Sequence, residues 1–393
     1  MRVNDMRVHT PFSPASRTTH SLCLGLSLVT SSTLRTQQVP TWSITSLNAS
    51  YPEPFDNMRA ARELSDGRLI VLDFGFYVVN LSQGLRAPLS RSGDGPGEYR
   101  APLRLFAFAG DTTAFLDMAR PRRVFLILPS GEFRGSLSVP ADLNARDPEA
   151  ADDRGRLYAQ HRRTKGPPGI RDSTDIIRWD PLHLKADTVA ALMERWFISS
   201  LPLQANGALP PFATFNQWAV SRDGRVAVVT ANPYRVTLFS PNGSVAVGPV
   251  LPEEQVRVTD AHRRAWLEKA LDPVMVITSV NGGPRTTQFR RPKKSDIEPA
   301  GWPRFLPPFL PGAVSFAPDG MLWVLRTTAD PALAMVDVIG RSGKLVARLA
   351  LPKNRRLLCH GNDAVYLVRT DDDGLQYIER YRMPVEYREV ATH

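Results

Sequence analysis

A glycine-rich loop is the first part of this sequence that could do chemistry. It is SRSGDGPGEYRAP, Ser90 to Pro102, with glycines at 93, 95 and 97. Backbone N–H groups of such loops can hold a phosphate, but a dinucleotide-binding loop has G-x-G-x-x-G spacing and opens a helix. Here the spacing is G-x-G-x-G, Pro96 removes one N–H donor, and a strand pattern follows. The stretch therefore predicts a corner between two strands and no nucleotide site.

Residues suited to metal binding or nucleophilic catalysis are scattered along the chain. The seven histidines show neither H-x-x-x-H nor H-E-x-x-H spacing, and no G-x-S-x-G sequence occurs. The run from Asp371 to Gly374 lacks EF-hand spacing and predicts a hairpin turn. Asp73 and Asp117 could act as an acid and a base only if folding brought them together. The sequence therefore assigns no catalytic residue, no metal ligand and no cofactor.

The elements that would position these residues form a repeat. Six segments consist of an Asp/Gly turn followed by a short β-branched or aromatic run. They are Ser65–Asp73, Gly110–Asp117, Asp152–His161, Ser221–Thr230, Ala317–Arg326 and Gly361–Arg369. Each predicts the middle of a β-hairpin, and most are followed by another strand and turn. A unit of four strands and about 40–45 residues is typical of a propeller blade, so the repeat predicts an all-β, six-bladed β-propeller with antiparallel blades.

Two further features complete this prediction. An insertion at about residues 251–311, between the fourth and fifth repeats, contains one helical pattern, with Thr259 or Asp260 as its expected N-cap. An open ring of blades leaves unpaired edges, and the strand-like run TWSITSL, Thr41–Leu47, precedes the first repeat. We therefore predict that this run is the outer strand of the sixth blade and that residues 41–393 form one domain.

Polar residues close the second strand of every predicted blade. They are Asp73, Asp117, His161, Thr230, Arg326 and Arg369. Because strands alternate in direction, these residues share a face with the blade-to-blade corners, where propellers usually bind ligands. The ring thus predicts a polar cup for a charged or amphoteric ligand. The alternative is that the six side chains only cap their strands and pair with neighbouring loops.

The corner sequence carries a resemblance to a known group. R-x-G-[DE]-G-P-G-E-[FY] after the first blade is matched by Arg91, by residues 93–98 and by Tyr99. With the spaced Asp-Gly turns, this pattern resembles exported bacterial six-bladed β-propellers of the NHL-like and TolB-like kind. The resemblance covers about residues 41–384 and implies a fold. It carries over no catalytic residue.

Composition narrows the function classes. Of the 393 residues, 42% are hydrophobic and 22% charged, which is typical of a folded globular chain. No run approaches the roughly 20 apolar residues of a membrane helix. The net charge is +10, but the densest basic run, residues 290–294, has no interleaved aromatic residue, which argues against nucleic-acid binding. The two cysteines, Cys23 and Cys359, provide no disulfide framework.

Residues 1–40 are expected to be a leader. Arg2, Arg7 and Arg17 precede a short, mildly apolar stretch, SLCLGLSLVTSSTL, which predicts a weak signal peptide and export to the periplasm or cell surface. The alternative is a disordered segment on a cytoplasmic protein.

These observations predict a binding protein. We expect a monomeric, non-catalytic propeller scaffold whose partner is a protein, a peptide or a small charged ligand. The alternative is a propeller enzyme, either a calcium-dependent lactonase or related hydrolase, or a lyase of the NHL-like type, with its site at the mouth of the channel. Fold alone does not choose between the two.

Overall fold

The computed structural model describes residues 39–89, 93, 95, 98–118, 122–139, 147–162, 174–192, 201, 209–271, 274–278 and 286–391. The expected leader, with Cys23, lies almost entirely outside these residues. No described helix is long and apolar enough to span a membrane.

Six four-stranded antiparallel blades confirm the predicted propeller. Two short strands, β1 (Thr41–Ser43) and β2 (Leu47–Ser50), precede the first repeat. Blade one contains β3 (Ala60–Glu63), β4 (Leu69–Leu72), β5 (Phe76–Asn80) and β6 (Leu85–Pro88). Blade two contains β7 (Pro102–Ala107), β8 (Thr113–Asp117), β9 (Arg123–Ile127) and β10 (Phe133–Ser138). Blade three contains β11 (Ala150–Ala151), β12 (Leu157–Arg162), β13 (Thr174–Asp180) and β14 (Lys185–Leu192).

The other three blades follow the same order from inner to outer strand. Blade four contains β15 (Gln217–Val220), β16 (Val226–Ala231), β17 (Tyr234–Phe239) and β18 (Val245–Val250). The insertion contains helix α1 (Asp260–Ala270), the hairpin β19 (Val274–Thr278) and β20 (Thr286–Arg290), and helix α2 (Lys294–Ile297). Blade five contains β21 (Phe309–Phe316), β22 (Leu322–Arg326), β23 (Met335–Ile339) and β24 (Leu345–Ala350). Blade six contains β25 (Arg355–His360), β26 (Ala364–Thr370) and β27 (Gln376–Arg382), and helix α3 (Val385–Ala391) follows.

The repeated Asp-Gly turns join the first and second strands, as predicted. At Gly224 and Gly320 the backbone has φ of 85°, a left-handed conformation that only glycine adopts without steric cost. The runs that follow these turns are second strands whose first residues are buried, because the blades on both sides cover them. The local sequence thus determines where each blade begins.

The blades pack around a ring. Contacts join β25 to β3, β3 to β7, β7 to β11, β11 to β15 and β15 to β21, so the first strands are innermost. One buried hydrophobic cluster lies at each of the six seams between blades. At the seam between blades one and two, for example, Phe115 lies 4.4 Å from Phe76 and 5.1 Å from Phe125, measured between ring centroids.

The predicted closing segment divides into two strands. β2 pairs with β27 and completes blade six, which confirms closure by the early part of the chain. β1, however, pairs in parallel with β24 and adds a fifth strand to blade five. The prediction that Thr41–Leu47 is one outer strand of blade six is therefore corrected. Ile44 separates the two strands, and its side chain, 1% exposed, enters the core between blades five and six.

The insertion begins with the predicted helix and also contains a hairpin and a second helix that were not predicted. Thr259 is the N-cap of α1, and its side chain accepts a hydrogen bond from the backbone N–H of His262. The ring of His262 completes the capping box and also contacts the carbonyl of Thr328 at 2.8 Å. This contact fastens the insertion to the loop between the second and third strands of blade five.

Candidate functional site

The six strand-end residues occupy corresponding places in the six blades. Asp73 directly follows β4, and Asp117 and Arg326 are the last residues of β8 and β22. His161, Thr230 and Arg369 are the next-to-last residues of β12, β16 and β26. All therefore lie at the ends of second strands, on the face that carries the blade-to-blade corners. We call this the mouth face.

The two aspartates hold the corners of their own blades. Asp73 is 4% exposed and accepts the backbone N–H of Asn57 at 2.6 Å. Burial raises its pKa. Asp117 is 2% exposed and accepts the backbone N–H groups of Ala101 and Arg100 at 2.9 and 3.1 Å. These bonds pin the incoming corner to the second strand, which is the strand-capping role.

Arg326 is part of a buried ion-pair network. Its Nη1 lies 2.7 Å from Asp337 Oδ2, and its guanidinium lies over the ring of Tyr234 in blade four. Asp337 is fully buried and also accepts bonds from Arg348 Nε at 3.0 Å and from the Tyr234 hydroxyl at 2.9 Å. The carboxylate thus joins blade four to blade five, and loss of Arg326 would leave it undercompensated.

The remaining three residues also face neighbours. Arg369 Nε lies 3.2 Å from Oε1 of Glu379, a carboxylate that Arg355 also binds. The hydroxyl of Thr230 donates to the carbonyl of Pro233 at 2.6 Å. His161 is half-buried and pairs in register with Asp175 of β13. These contacts favour the strand-capping alternative, and a ligand cup built from this ring stays a prediction.

The corner sequence has a structural role in its described part. Glu98 accepts the backbone N–H of Gly95 at 2.8 Å and so folds the loop onto itself. The Tyr99 side chain, 3% exposed, accepts the backbone N–H of Phe76 through its hydroxyl. Its ring packs edge-on against Phe76 and Phe115. The prediction of a corner is confirmed by these contacts. Residues 91, 94, 96 and 97 lie outside the described part of the chain.

A serine–histidine contact near the channel was missed by the sequence analysis. Ser315 Oγ and His360 Nε2 are 2.8 Å apart and come from the first strands of blades five and six. Burial lowers the pKa of His360 to about 4, which makes the imidazole a weak base for activating a hydroxyl. The contact instead satisfies a half-buried ring and closes the inner ring of strands. The available signal was that Ser315 and His360 lie within the last two residues of the first strands of consecutive blades.

The outer wall of the propeller offers a different kind of surface. In β18, the side chains of Val245, Val247 and Val250 are 53%, 63% and 56% exposed. No charged residue lies between Arg235 and Glu253. The outer strands β6, β10 and β14 each carry at least one charged residue. Charge is a usual protection of an edge strand against pairing with other chains, and β18 lacks it.

Metal ligands are not grouped in the part of the chain that the structure describes. There, no three His, Cys, Asp or Glu side chains lie close enough together to hold a metal ion. Asp371 accepts the backbone N–H groups of Asp373 and Leu375 and so forms the predicted hairpin turn between β26 and β27. The expectation of calcium under the enzyme alternative stays a prediction.

Comparisons with known proteins were made by sequence and by structure. No protein-family model and no curated protein matches this sequence. Among solved structures, regucalcin, a calcium-binding protein from Agrobacterium tumefaciens, is 13% identical, with 88% of this chain and 97% of that chain covered and a TM-score of 0.38. A gluconolactonase from Xanthomonas campestris is 11% identical, with 86% and 94% covered and a TM-score of 0.41. Virginiamycin B lyase from Staphylococcus aureus is 10% identical, with 87% and 88% covered and a TM-score of 0.35. Identity at this level assigns none of their activities to this chain, and membership of the NHL-like and TolB-like group stays a prediction.

Proposed function

We propose that this protein is a non-catalytic, protein-binding propeller whose blade-four outer strand accepts an extended segment of a partner protein. The observation that carries the proposal is the uncharged, valine-bearing edge of β18. An edge strand presents unpaired N–H and C=O groups, and addition of a strand from another chain satisfies them.

The propeller already accepts an added strand at the neighbouring blade. β1 runs beside β24, with Trp42 opposite Leu349, and the Ile44 N–H donates to the carbonyl of Ala350 at 2.9 Å. Ile44 itself is buried in the adjacent core. An outer strand of this fold can therefore pair with a further segment. β18 is the corresponding strand of blade four, and among the described strands it pairs with β17 alone.

The geometry limits which part of β18 can pair. Pro249 has no N–H to donate. Gly248 packs against Gly343 of blade five so closely that a Cβ at Gly248 would lie 2.4 Å from the Gly343 carbonyl oxygen. The part of the β18 edge that begins at Gly248 is thus already occupied, and the segment from Ser244 to Val247 remains available for pairing. A pairing of about four residues fits a short linear motif rather than a whole domain edge.

The partner segment follows from the chemistry of this edge. Exposed valines favour β-branched and aromatic side chains across the ladder, and the absence of charge in β18 gives a charged segment no ion-pair partner there. The sequence Thr41–Ile44 of this chain has the required character. The proposal places the encounter outside the cytoplasm, on the basis of the basic and mildly apolar leader, and N-terminal sequencing of the mature protein tests that location.

The test uses a fluorescein-labelled synthetic peptide, TWSITS, and fluorescence anisotropy. We expect measurable binding that Val247→Lys weakens by about tenfold or more, because a lysine at the edge opposes strand addition. The matched control is Leu85→Lys, since Leu85 is 60% exposed on the outer strand of blade one. Amide hydrogen exchange at residues 244–247 should slow when the peptide binds. Equal binding by the two lysine variants would contradict the proposal.

The enzyme alternative makes a separate prediction. A propeller enzyme with a structural or catalytic metal would retain calcium or zinc through purification, and chelation would lower its melting temperature. We expect no tightly held metal and no change in the melting temperature with chelator. Metal analysis and a thermal scan with and without chelator distinguish the two.

A further inference from the structure

The insertion places rings and guanidinium groups together on the mouth face. The chain leaves blade four after β18 and enters blade five at β21, so the insertion emerges at a blade-to-blade corner. Val258 donates to the carbonyl of Arg304 at 3.1 Å, and Leu306 donates to that of Val256 at 2.8 Å. These two bonds tie the start of the insertion to its end and fix the side chains on both segments.

Three rings meet on this part of the face. The Trp302 ring lies 5.5 Å from Trp266 of α1, nearly perpendicular to it, and 5.9 Å from Phe212, measured between centroids. All three are half-buried, so part of each ring remains accessible. Phe212 comes from the connection between blades three and four. The ring cluster therefore joins the insertion to the corner of another blade.

The backbone at Phe212 is strained to hold this arrangement. The N–H of Ala213 donates to the carbonyl of Pro210 at 3.1 Å, which closes a turn with Phe212 at its third position. Its φ is 56°, a value usual for glycine or asparagine there and unfavourable for an aromatic residue. Such strain persists where the surrounding structure demands it and is concentrated at functional sites.

Guanidinium groups lie over the rings of the returning segment. The Cζ of Arg263 lies 5.8 Å from the centroid of Trp302, and those of Arg257 and Arg304 lie 5.8 and 5.1 Å from the centroid of Phe305. Arg257 and Arg304 are exposed. Among the described residues, neither has a carboxylate within ion-pair distance. Both guanidinium groups therefore lie beside the same ring and are exposed, so both can donate hydrogen bonds to a bound anion.

We propose that this shelf, formed by Phe212, Trp266, Trp302 and the Arg257–Phe305–Arg304 group, binds a small aromatic carboxylate. The ring of the ligand would lie on the accessible faces of the tryptophans, and its carboxylate would bind Arg257 and Arg304 through charge-assisted hydrogen bonds. The Cα atoms of Trp302 and Phe305 are three residues apart and thus within about 11 Å, and a ligand of one or two rings matches that span. The shelf residues offer no side-chain acceptor for the hydroxyl groups of a sugar.

The probe for this site is 2-naphthoate, measured by isothermal titration calorimetry with the full chain. We expect it to bind. Two analogues, 2-naphthylmethanol, which lacks the charge, and acetate, which lacks the ring, should each bind at least about tenfold more weakly. Acetate binding as tightly as naphthoate would show a plain anion site and overturn the proposal. The absence of naphthoate binding up to about 10 mM would overturn it as well.

Variants locate the binding. The double variant Arg257→Gln/Arg304→Gln should weaken naphthoate binding by about tenfold or more, while its melting temperature stays unchanged because both side chains are exposed. Arg291→Gln is the matched control, since Arg291 is an exposed arginine of the same insertion outside the shelf. Equal affinity of the double variant and the parent protein would contradict the assignment. None of these changes touches β18, so failure here is separable from failure of the peptide-binding proposal.

Discussion

The outer strands of blades four and five differ in whether a further strand covers them. Blade five has an outer strand, β24, that is apolar except for Arg348. β1 covers it by parallel pairing, and the next residue, Ile44, is buried. Blade four has an apolar outer strand, β18, with three valines more than half exposed. The chain thus protects one apolar edge with its own segment and leaves the other open.

This difference separates stability from recognition. A covered edge adds buried surface and a hydrogen-bonded ladder, so it stabilises the fold. An open edge contributes little to stability and is available to another chain. The seam between the same two blades is held elsewhere, by Asp337 and its partners, so blade four does not depend on a cover for β18.

The largest expected effect concerns that seam. Asp337→Ala should lower the free energy of unfolding by about 4 kcal/mol, because it leaves the guanidiniums of Arg326 and Arg348 without their carboxylate. Urea denaturation measures the change. Asp187→Ala is the control, since Asp187 is 52% exposed and water can take its place beside Arg178; it should cost less than about 1 kcal/mol. Similar losses from the two would show that the seam does not depend on the buried network.

The comparison of the two edges is tested by paired truncations. Ile44→Ala should destabilise by about 3 kcal/mol, because the side chain is 1% exposed and a cavity would remain. Val247→Ala should change stability by less than about 0.5 kcal/mol, because that side chain is already in water. Denaturant titration of both variants provides the measurement. A cost for Val247→Ala near that of Ile44→Ala would mean that the β18 edge is covered after all.

Acid should lower the stability of the fold through His360, in the first strand of blade six. The folded pKa of His360 is about 4, below the unfolded value of about 6.5, so the unfolded chain takes up a proton first as the pH falls. Stability from this group is present above pH 6.5 and is lost progressively down to pH 4, by up to about 3 kcal/mol. Urea denaturation at pH 7 and pH 4.5 should show the loss, and His360→Gln should reduce it. An unchanged pH dependence in His360→Gln would assign the loss to other groups.

Local patterns predicted much of the fold. The Asp-Gly turns, the second strands that follow them and one of the two expected helix caps, Thr259, depend on residues a few positions apart, and all are found. The division of the closing segment into two strands was not predicted, because TWSITSL has a continuous strand pattern. Its division at Ile44 arises from two different partners, β24 and β27, which the local pattern does not contain.

The candidate sites were predictable only in part. The ring of strand-end residues was found as a set of positions, since equal offsets from equivalent turns place them at equivalent points. Their partners were not. Tyr234 and Asp337 are 103 residues apart, and Ser315 and His360 are 45 apart. The stacking of Arg304 on Phe305 is local, but its meeting with Arg257 requires the insertion to fold back on itself.

The sequence by itself determined how many blades this protein has and where each one starts, because a hairpin depends on its own turn and on the alternation of its own strands. The tertiary structure decided which apolar edge is covered, which carboxylate is buried between arginines and which rings meet on the mouth face. Those outcomes depend on contacts between segments far apart in the chain, and a short pattern carries no information about the surface that packs against it.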